Sequence, residues 1–478
     1  MLALAATAGG LGCKDNPGFA LAPDGPVDTG DTVVGADTGE ATTRGASTSI
    51  DPGTTDALTT TTGEPASTST TGPPERFCGD GVPDADLDED CDDGNKVPTD
   101  ECTDGCRALF AEDGFNKSFG GTCIGLLAAT FTHGDESVDL ALVRNNQLFV
   151  AVLENDGDAD FIDDNKIFTT EGNVVNVAIA RQVDGDDADR KDIVALHNVI
   201  SVCLNKTADG LCTNADEYEL PPDFQDLEYY LPKFLQADDV DNNGLIDVVT
   251  FAKGDGDALT IFPSKPGGLL DPMNFKRLDF PQPLLNAAPT AMAVGPFTGM
   301  VEYPDLAVGY DDNSGGYVMY FPDFGIAGFA QDTDPILVGE SVSSIAIADL
   351  GLPGDLGDLV VTDPVGGKLV FISEGPGAEL VVQDEFIDLD AAEKKVVVAP
   401  FRGDGQPDIV TVDIGGANVH IASVVDGALP IESNHFETGL TGLVDVVVAD
   451  LDADGDGDIA VVNTQCTVRV LINQTVVK

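Results

Sequence analysis

Seven times between Gly120 and Lys478 the sequence follows one pattern. An apolar segment runs into an acidic or glycine-rich loop, the loop ends on aspartate, and a strongly apolar strand follows. The closing aspartates are Asp139, Asp192, Asp247, Asp305, Asp358, Asp408 and Asp458. Their mean spacing is about 53 residues, which suits a propeller blade and is too long for leucine-rich or ankyrin repeats. Within a period, β-branched runs alternate with Gly, Asn and Asp turns, and no sustained 3.6-residue periodicity appears. The stretch VVVADLDADGDGDIAVVNTQCTVRVLIN shows three strands in succession, and the variable stretch before the next period has room for a fourth. The expectation is an all-β fold: a seven-bladed β-propeller of four-stranded blades over residues 108–478.

Ring closure follows from the ends of this region. After Asp458 only two strands remain, so the last blade lacks its outer strand, and the segment Ala108 to Glu112 is expected to supply it. Such pairing covers sheet edges that would otherwise template aggregation. It also brings Cys123, entering the first inner strand, to the face that carries Cys466, so a Cys123–Cys466 disulfide is expected. Cys203 and Cys212 flank a turn (CLNKTADGLC) and form the natural local pair.

Two loops carry a full hard-cation pattern. Asp239, Asp241, Asn243 and Asp247 stand at positions 1, 3, 5 and 9 of the first, with Gly244 at position 6. Asp450, Asp452, Asp454 and Asp458, with Gly455, repeat the arrangement. The main-chain carbonyls of Leu245 and Asp456, at position 7, add an oxygen each. Calcium takes six to eight oxygens at flexible distances, whereas magnesium keeps its waters and prefers fewer carboxylates. Calcium is therefore the expected ion. Weaker versions occur in the second period (Asp184, Asp186, Asp192) and the sixth (Asp404, Asp408), where Ala188, Pro400 and Arg402 replace ligand positions. Blade period and DxDxDGxxD loop together resemble the FG-GAP/VCBS repeat found in integrin α-chain heads and bacterial surface proteins. Leu148 to Phe161 (LFVAVLENDGDADF) matches that family's hairpin, and Leu471-Ile-Asn473 echoes it. The resemblance implies a propeller and carries calcium ligation onto the two complete loops.

The N-terminal quarter is of another kind. Residues 1–13 resemble a bacterial lipoprotein signal ending at Cys13, the residue expected to be lipidated, although Gly10 stands where leucine is usual. A start codon upstream would supply the missing basic segment. Residues 14–77 form a Thr/Ser/Gly/Pro/Asp linker with too few large apolar residues to offset ordering entropy. Residues 78–106 hold Cys78, Cys91, Cys102 and Cys106 among turn formers and acids, so disulfides or a metal must replace a core there; without paired CxxC spacing, and in an exported chain, two disulfides are favoured over zinc. Three connectivities are open. The pattern CGDG…CDDGN…DxC…C resembles a short cysteine-rich repeat of surface and secreted proteins of myxobacteria-like bacteria.

Composition narrows the function. With 84 acidic against 23 basic residues the formal net charge is −61, which excludes nucleic acid as a natural partner and favours cations. No apolar run is long enough to span a bilayer, so contact with a membrane is expected only through the lipid anchor. Four histidines, no tryptophan, and no nucleophile elbow or HExxH leave little for catalysis or sugar stacking. His133 reads as a turn residue, and Tyr229 with Tyr230 as packing against a blade edge. The sequence points to an exported, surface-anchored or secreted, calcium-stabilised monomer. It would bind a protein or glycan without catalysis. The competing reading is an extracellular propeller enzyme, a polysaccharide lyase or hydrolase working through clustered carboxylates.

Overall fold

The structure is a computed structural model. It describes Cys91, Cys102, residues 108–111 and most of residues 114–475, including the strands and connections named below. The signal-like segment with Cys13, the linker, Cys78 and Cys106 lie outside the described residues.

The described strands form seven four-stranded antiparallel sheets. In chain order their first strands are Cys123–Ala129, Asn176–Arg181, Pro232–Asp238, Ala288–Gly295, Ser344–Ala348, Lys394–Ala399 and Leu443–Ala449. Each is hydrogen-bonded to a second strand that opens on, or one residue before, a closing aspartate: Asp139–Arg144, Lys191–Leu196, Asp247–Ala252, Asp305–Asp312, Asp358–Asp363, Asp408–Asp413 and Asp458–Asn463. These second strands are buried on both faces, as in Leu140, Ala141, Leu142 and Val143, which explains their continuous apolar sequences. A two-stranded hairpin, Ser264–Lys265 with Leu269–Leu270, is inserted in the third sheet.

Apolar clusters fill the spaces between consecutive sheets. Leu127 and Val143 of the first meet Ile193 and Ala195 of the second, and the sequence continues through Phe234, Val308 and Phe321 between the third and fourth. Leu126, Leu140, Ala460 and Val462 then join the last sheet to the first. First strands likewise touch from sheet to sheet and back to the start. Four-stranded sheets packed face to face around a closed ring are the blades of a β-propeller.

The last sheet takes its outer strand from the N-terminal side, as the missing strand required, but not from Ala108 to Glu112. The outer strand is Asn116–Ser118, paired with Thr467–Leu471. Residues 108–111 instead cross the end of the sheet. Phe110 bridges to Asn473, the Ala111 N–H donates to the Ile472 carbonyl at 2.9 Å, and the Phe110 ring packs on Phe401 and Phe436. The physical reason is burial: Phe110 needs an apolar seat, while an outer strand tolerates the polar Asn-Lys-Ser.

Cys123 and Cys466 are joined in a disulfide across this seam. Cys91 is joined to Cys102. Cys203 is also disulfide-bonded, and Cys212 lies outside the described residues.

Candidate metal centre

The closing aspartates have a structural duty in every described loop where their partners are seen. Asp139 accepts the Phe131 N–H at 2.9 Å on one oxygen and the Asn155 N–H at 2.9 Å on the other. Asp247 does the same with Val240 (3.1 Å) and Ser264 (2.7 Å), and Asp458 with Leu451 (2.8 Å) and Asn473 (2.8 Å). Asp305 and Asp358 accept from Phe297 and Leu350. Each carboxylate thus clips the start of the acidic loop, and in three sheets also the end of the third strand, to the blade. All are buried. An unclipped loop would leave buried N–H groups without acceptors, at about 1–3 kcal/mol each.

In the third sheet two further carboxylates gather at the clipping Asp247, while in the seventh the gathered set is Asp450, Asp452 and Asp454, without the clipping Asp458. One ligand atom each of Asp239, Asp241 and Asp247 lie within 4.8 Å of one another, as do those of Asp450, Asp452 and Asp454. The two loops fold alike. Asn242 and Ala453 take φ of 55° and 58°, Gly244 and Gly455 take 82° and 105°. Left-handed backbone at positions 4 and 6 curls the loop around its first aspartate, and glycine meets the second of these demands without a Cβ clash. Asp239 accepts the Asn243 and Gly244 N–H groups, and Asp450 accepts those of Asp454 and Gly455. Asn243 Oδ1 and Asp454 Oδ1 take the N–H groups of Leu245 and Asp456, the residues whose carbonyls were expected as ligands.

Crowded carboxylates disfavour ionisation. Burial, with repulsion from Asp241 and Asp239, pushes the Asp247 carboxyl up to about 7. Burial with Asp452 and Asp456 pushes Asp458 to about 8. Asp241 and Asp450 are raised as well, again chiefly by burial. A donor set made only of hard oxygens and held in a preformed turn fits a hard cation.

The sixth sheet differs. Arg402 stands at loop position 3, where Asp241 and Asp452 stand in the other two. Its Nε donates to Asp408 at 3.0 and 3.2 Å, and its Nη2 donates to the Val424 carbonyl at 2.9 Å. In this loop a built-in guanidinium serves the carboxylate of Asp408, one of the weaker metal candidates. Asp404, its expected companion, lies outside the described residues, as do Asp184, Asp186, His133, Tyr229 and Tyr230. Asp192 is buried at the start of its strand.

Three arrangements had no counterpart in the sequence reading. Asn155 Nδ2 and Asn473 Nδ2 donate to main-chain carbonyls of the preceding blade, Leu451 and Phe401. Lys395 and Asp445 form a buried ion pair between the first strands of the sixth and seventh sheets. His420 Nε2 lies 3.1 Å from Asp413 Oδ1, with the His435 ring 6.2 Å away on the neighbouring strand. Of the three, the asparagines recur at matching places in the repeat; the sequence marked those hairpin ends, but not the bonds they make to the preceding blade.

Fold and site together define a β-propeller with four-stranded blades and acidic loops at the start of its second strands. No family model matches the chain, and no curated protein matches it. Among solved structures, BBS1N in complex with ARL6DN, soaked with lead, aligns over 77% of this chain and 97% of that chain, with a TM-score of 0.50 and 9% identity. The same complex soaked with mercury aligns over 77% and 96%, with a TM-score of 0.48 and 10% identity. At such identity the likeness is one of fold. No helix among the described residues is long and apolar enough to cross a membrane.

Proposed function

We propose that this chain is an exported, non-catalytic binding protein whose seven sheets form a seven-bladed, calcium-stabilised propeller of the FG-GAP/VCBS kind. The observation that carries the calcium reading is the contrast among equivalent loops. Two gather three carboxylates whose ligand atoms lie within 4.8 Å of one another, whereas the loop of the sixth sheet sets a guanidinium against its closing aspartate. In the proposed state Asp239, Asp241, Asn243 and Asp247, with the Leu245 carbonyl, hold one ion. Asp450, Asp452, Asp454 and Asp458, with the Asp456 carbonyl, hold another. A dissociation constant of about 0.1 mM at millimolar extracellular calcium would add about 1.4 kcal/mol per site.

The lipidated Cys13, the linker and the cysteine-rich module would hold the propeller away from a cell surface. Its loops would then engage a protein or glycan. A protein partner gains mild support from the fold neighbour, itself described in complex with ARL6DN. Thermal unfolding of the full chain in EDTA and then in millimolar calcium tests the metal. The melting temperature is expected to rise with calcium, and most of that rise should vanish in an Asp241→Ala, Asp452→Ala double variant. An unchanged melting temperature in the parent would reduce the loops to turns.

A further inference from the structure

The first strands of the sixth and seventh sheets carry a lysine and an aspartate that meet where water is excluded. The Lys395 side chain is 6% exposed and that of Asp445 is 1% exposed. Lys395 Nζ is in direct contact with Asp445 Oδ1. Asp445 follows an irregularity in the pairing of its strand, between Leu443 and Asp445. Two main-chain donors fix its carboxyl group. The Val446 N–H donates to Oδ1 at 2.8 Å, and the Leu126 N–H, from the first sheet, donates to Oδ2 at 2.8 Å.

We propose that this pair is a modification site at which Lys395 and Asp445 condense to an intramolecular amide. Removing two charges from a buried pair relieves the desolvation cost of both ions, and burial already pushes the Asp445 carboxyl up against the pull of Lys395.

The ammonium first passes a proton to the carboxylate, leaving a neutral amine against a neutral acid. The amine nitrogen attacks Cγ, and negative charge gathers on Oδ2, where the Leu126 N–H is already aimed. Fixed donors at a developing oxyanion are worth more than the same donors in water. The Nζ–Cγ bond forms and the Cγ–Oδ1 bond breaks. Oδ1 leaves as water, with one proton from the ammonium and a second from the attacking nitrogen. Oδ2 remains as the amide carbonyl and keeps its bond from Leu126. No oxidant or other reactant is consumed. The product joins the sixth blade to the seventh covalently, beside the Cys123–Cys466 seam that joins the seventh to the first.

Mass spectrometry of the full chain, purified, reduced and denatured, tests this. The expected result is a chain one water lighter than its sequence, and a branched peptide carrying both Lys395 and Asp445 that trypsin does not cut after Lys395. Asp-Gly steps such as Asp454-Gly455 also lose water by closing to succinimide, so the branched peptide decides the matter and the intact mass alone does not. Separate linear peptides with unmodified Lys395 and Asp445 would overturn the assignment. A Lys395→Arg chain, which keeps the cation but lacks the amine, is expected to give only linear peptides across both positions. A branched peptide joining the same two strands in that chain would place the link elsewhere and equally overturn the proposal.

Discussion

Asn155 Nδ2 donates to the Leu451 carbonyl at 2.6 Å, tying the end of a third strand in the first blade to the acidic loop of the last. Asn473 repeats the device, donating to Phe401 at 2.7 Å and to Gly457 at 3.2 Å. The backbone N–H of each asparagine meanwhile fills one oxygen of a closing aspartate. One residue therefore joins its own blade's clip to the blade before it. Asn155→Ala and Asn473→Ala should each cost about 1–2 kcal/mol, because a buried bond is lost while Leu451 and Phe401 keep other donors, Ala159 and Gly457. The two sites meet in one network, since Leu451, held by Asn155, and Asn473 both donate to Asp458, so the losses should be non-additive in urea unfolding. Strictly additive losses would mean that the two latches act independently of that shared loop.

Metal-free stability should fall as pH rises. Burial raises Asp238 and Asp358 from 3.8 to about 6, Asp247 to about 7 and Asp458 to about 8. The folded state then holds protons that the unfolded chain, titrating near 4, has already released. The sign follows: the associated stability is fully present below the unfolded value and is lost as pH rises through the folded values. In EDTA, unfolding midpoints should decline between about pH 5 and pH 8. Calcium should flatten that decline, since the ion binds the deprotonated form. A metal-free midpoint that climbs across this window contradicts the raised carboxyls.

Arg402→Met should be more damaging than an ordinary arginine substitution. The guanidinium is mostly buried against a fully buried Asp408, and deleting it leaves that carboxylate uncompensated, at about 3–5 kcal/mol. Because this loop supplies its own cation, the loss should be equal in EDTA and in calcium. Chemical denaturation of parent and variant in both buffers checks it, and full rescue by calcium would show that Asp408 accepts a metal after all.

How much of this was legible depends on what repeats. The closing aspartates stood out because each blade needs the same clip, so the residue recurs at blade period whether or not a metal sits above it. Asn155 and Asn473 were harder to see, since the third sheet performs the job with Ser264, whose N–H donates to Asp247 and whose hydroxyl donates to Ile246. The outer strand was misplaced because Phe110 and its neighbours look like a strand while Asn116–Ser118 does not. On a sheet edge, half the residues face solvent and apolar pattern fades. Lys395 with Asp445 left no trace at all, because one non-local pair has no period. Arg402 could be read as a lost ligand, but its role as a replacement cation needed the position of its guanidinium.

The Cys123–Cys466 disulfide should be the largest single contributor to closure. It spans 343 residues of sequence, and joining ends that far apart restricts the unfolded chain by about 6 kcal/mol in the chain-entropy description. A Cys123→Ser, Cys466→Ser variant should still fold. Asn116–Ser118 remains paired with Thr467–Leu471, and the Val470 N–H still donates to the Phe115 carbonyl. Its urea midpoint should drop and its denaturant slope should steepen, because the unlinked unfolded state exposes more surface. Reductant should lower the midpoint of the parent far more than that of the variant. Equal midpoints for parent and variant under oxidising conditions would mean that strand pairing alone closes the ring.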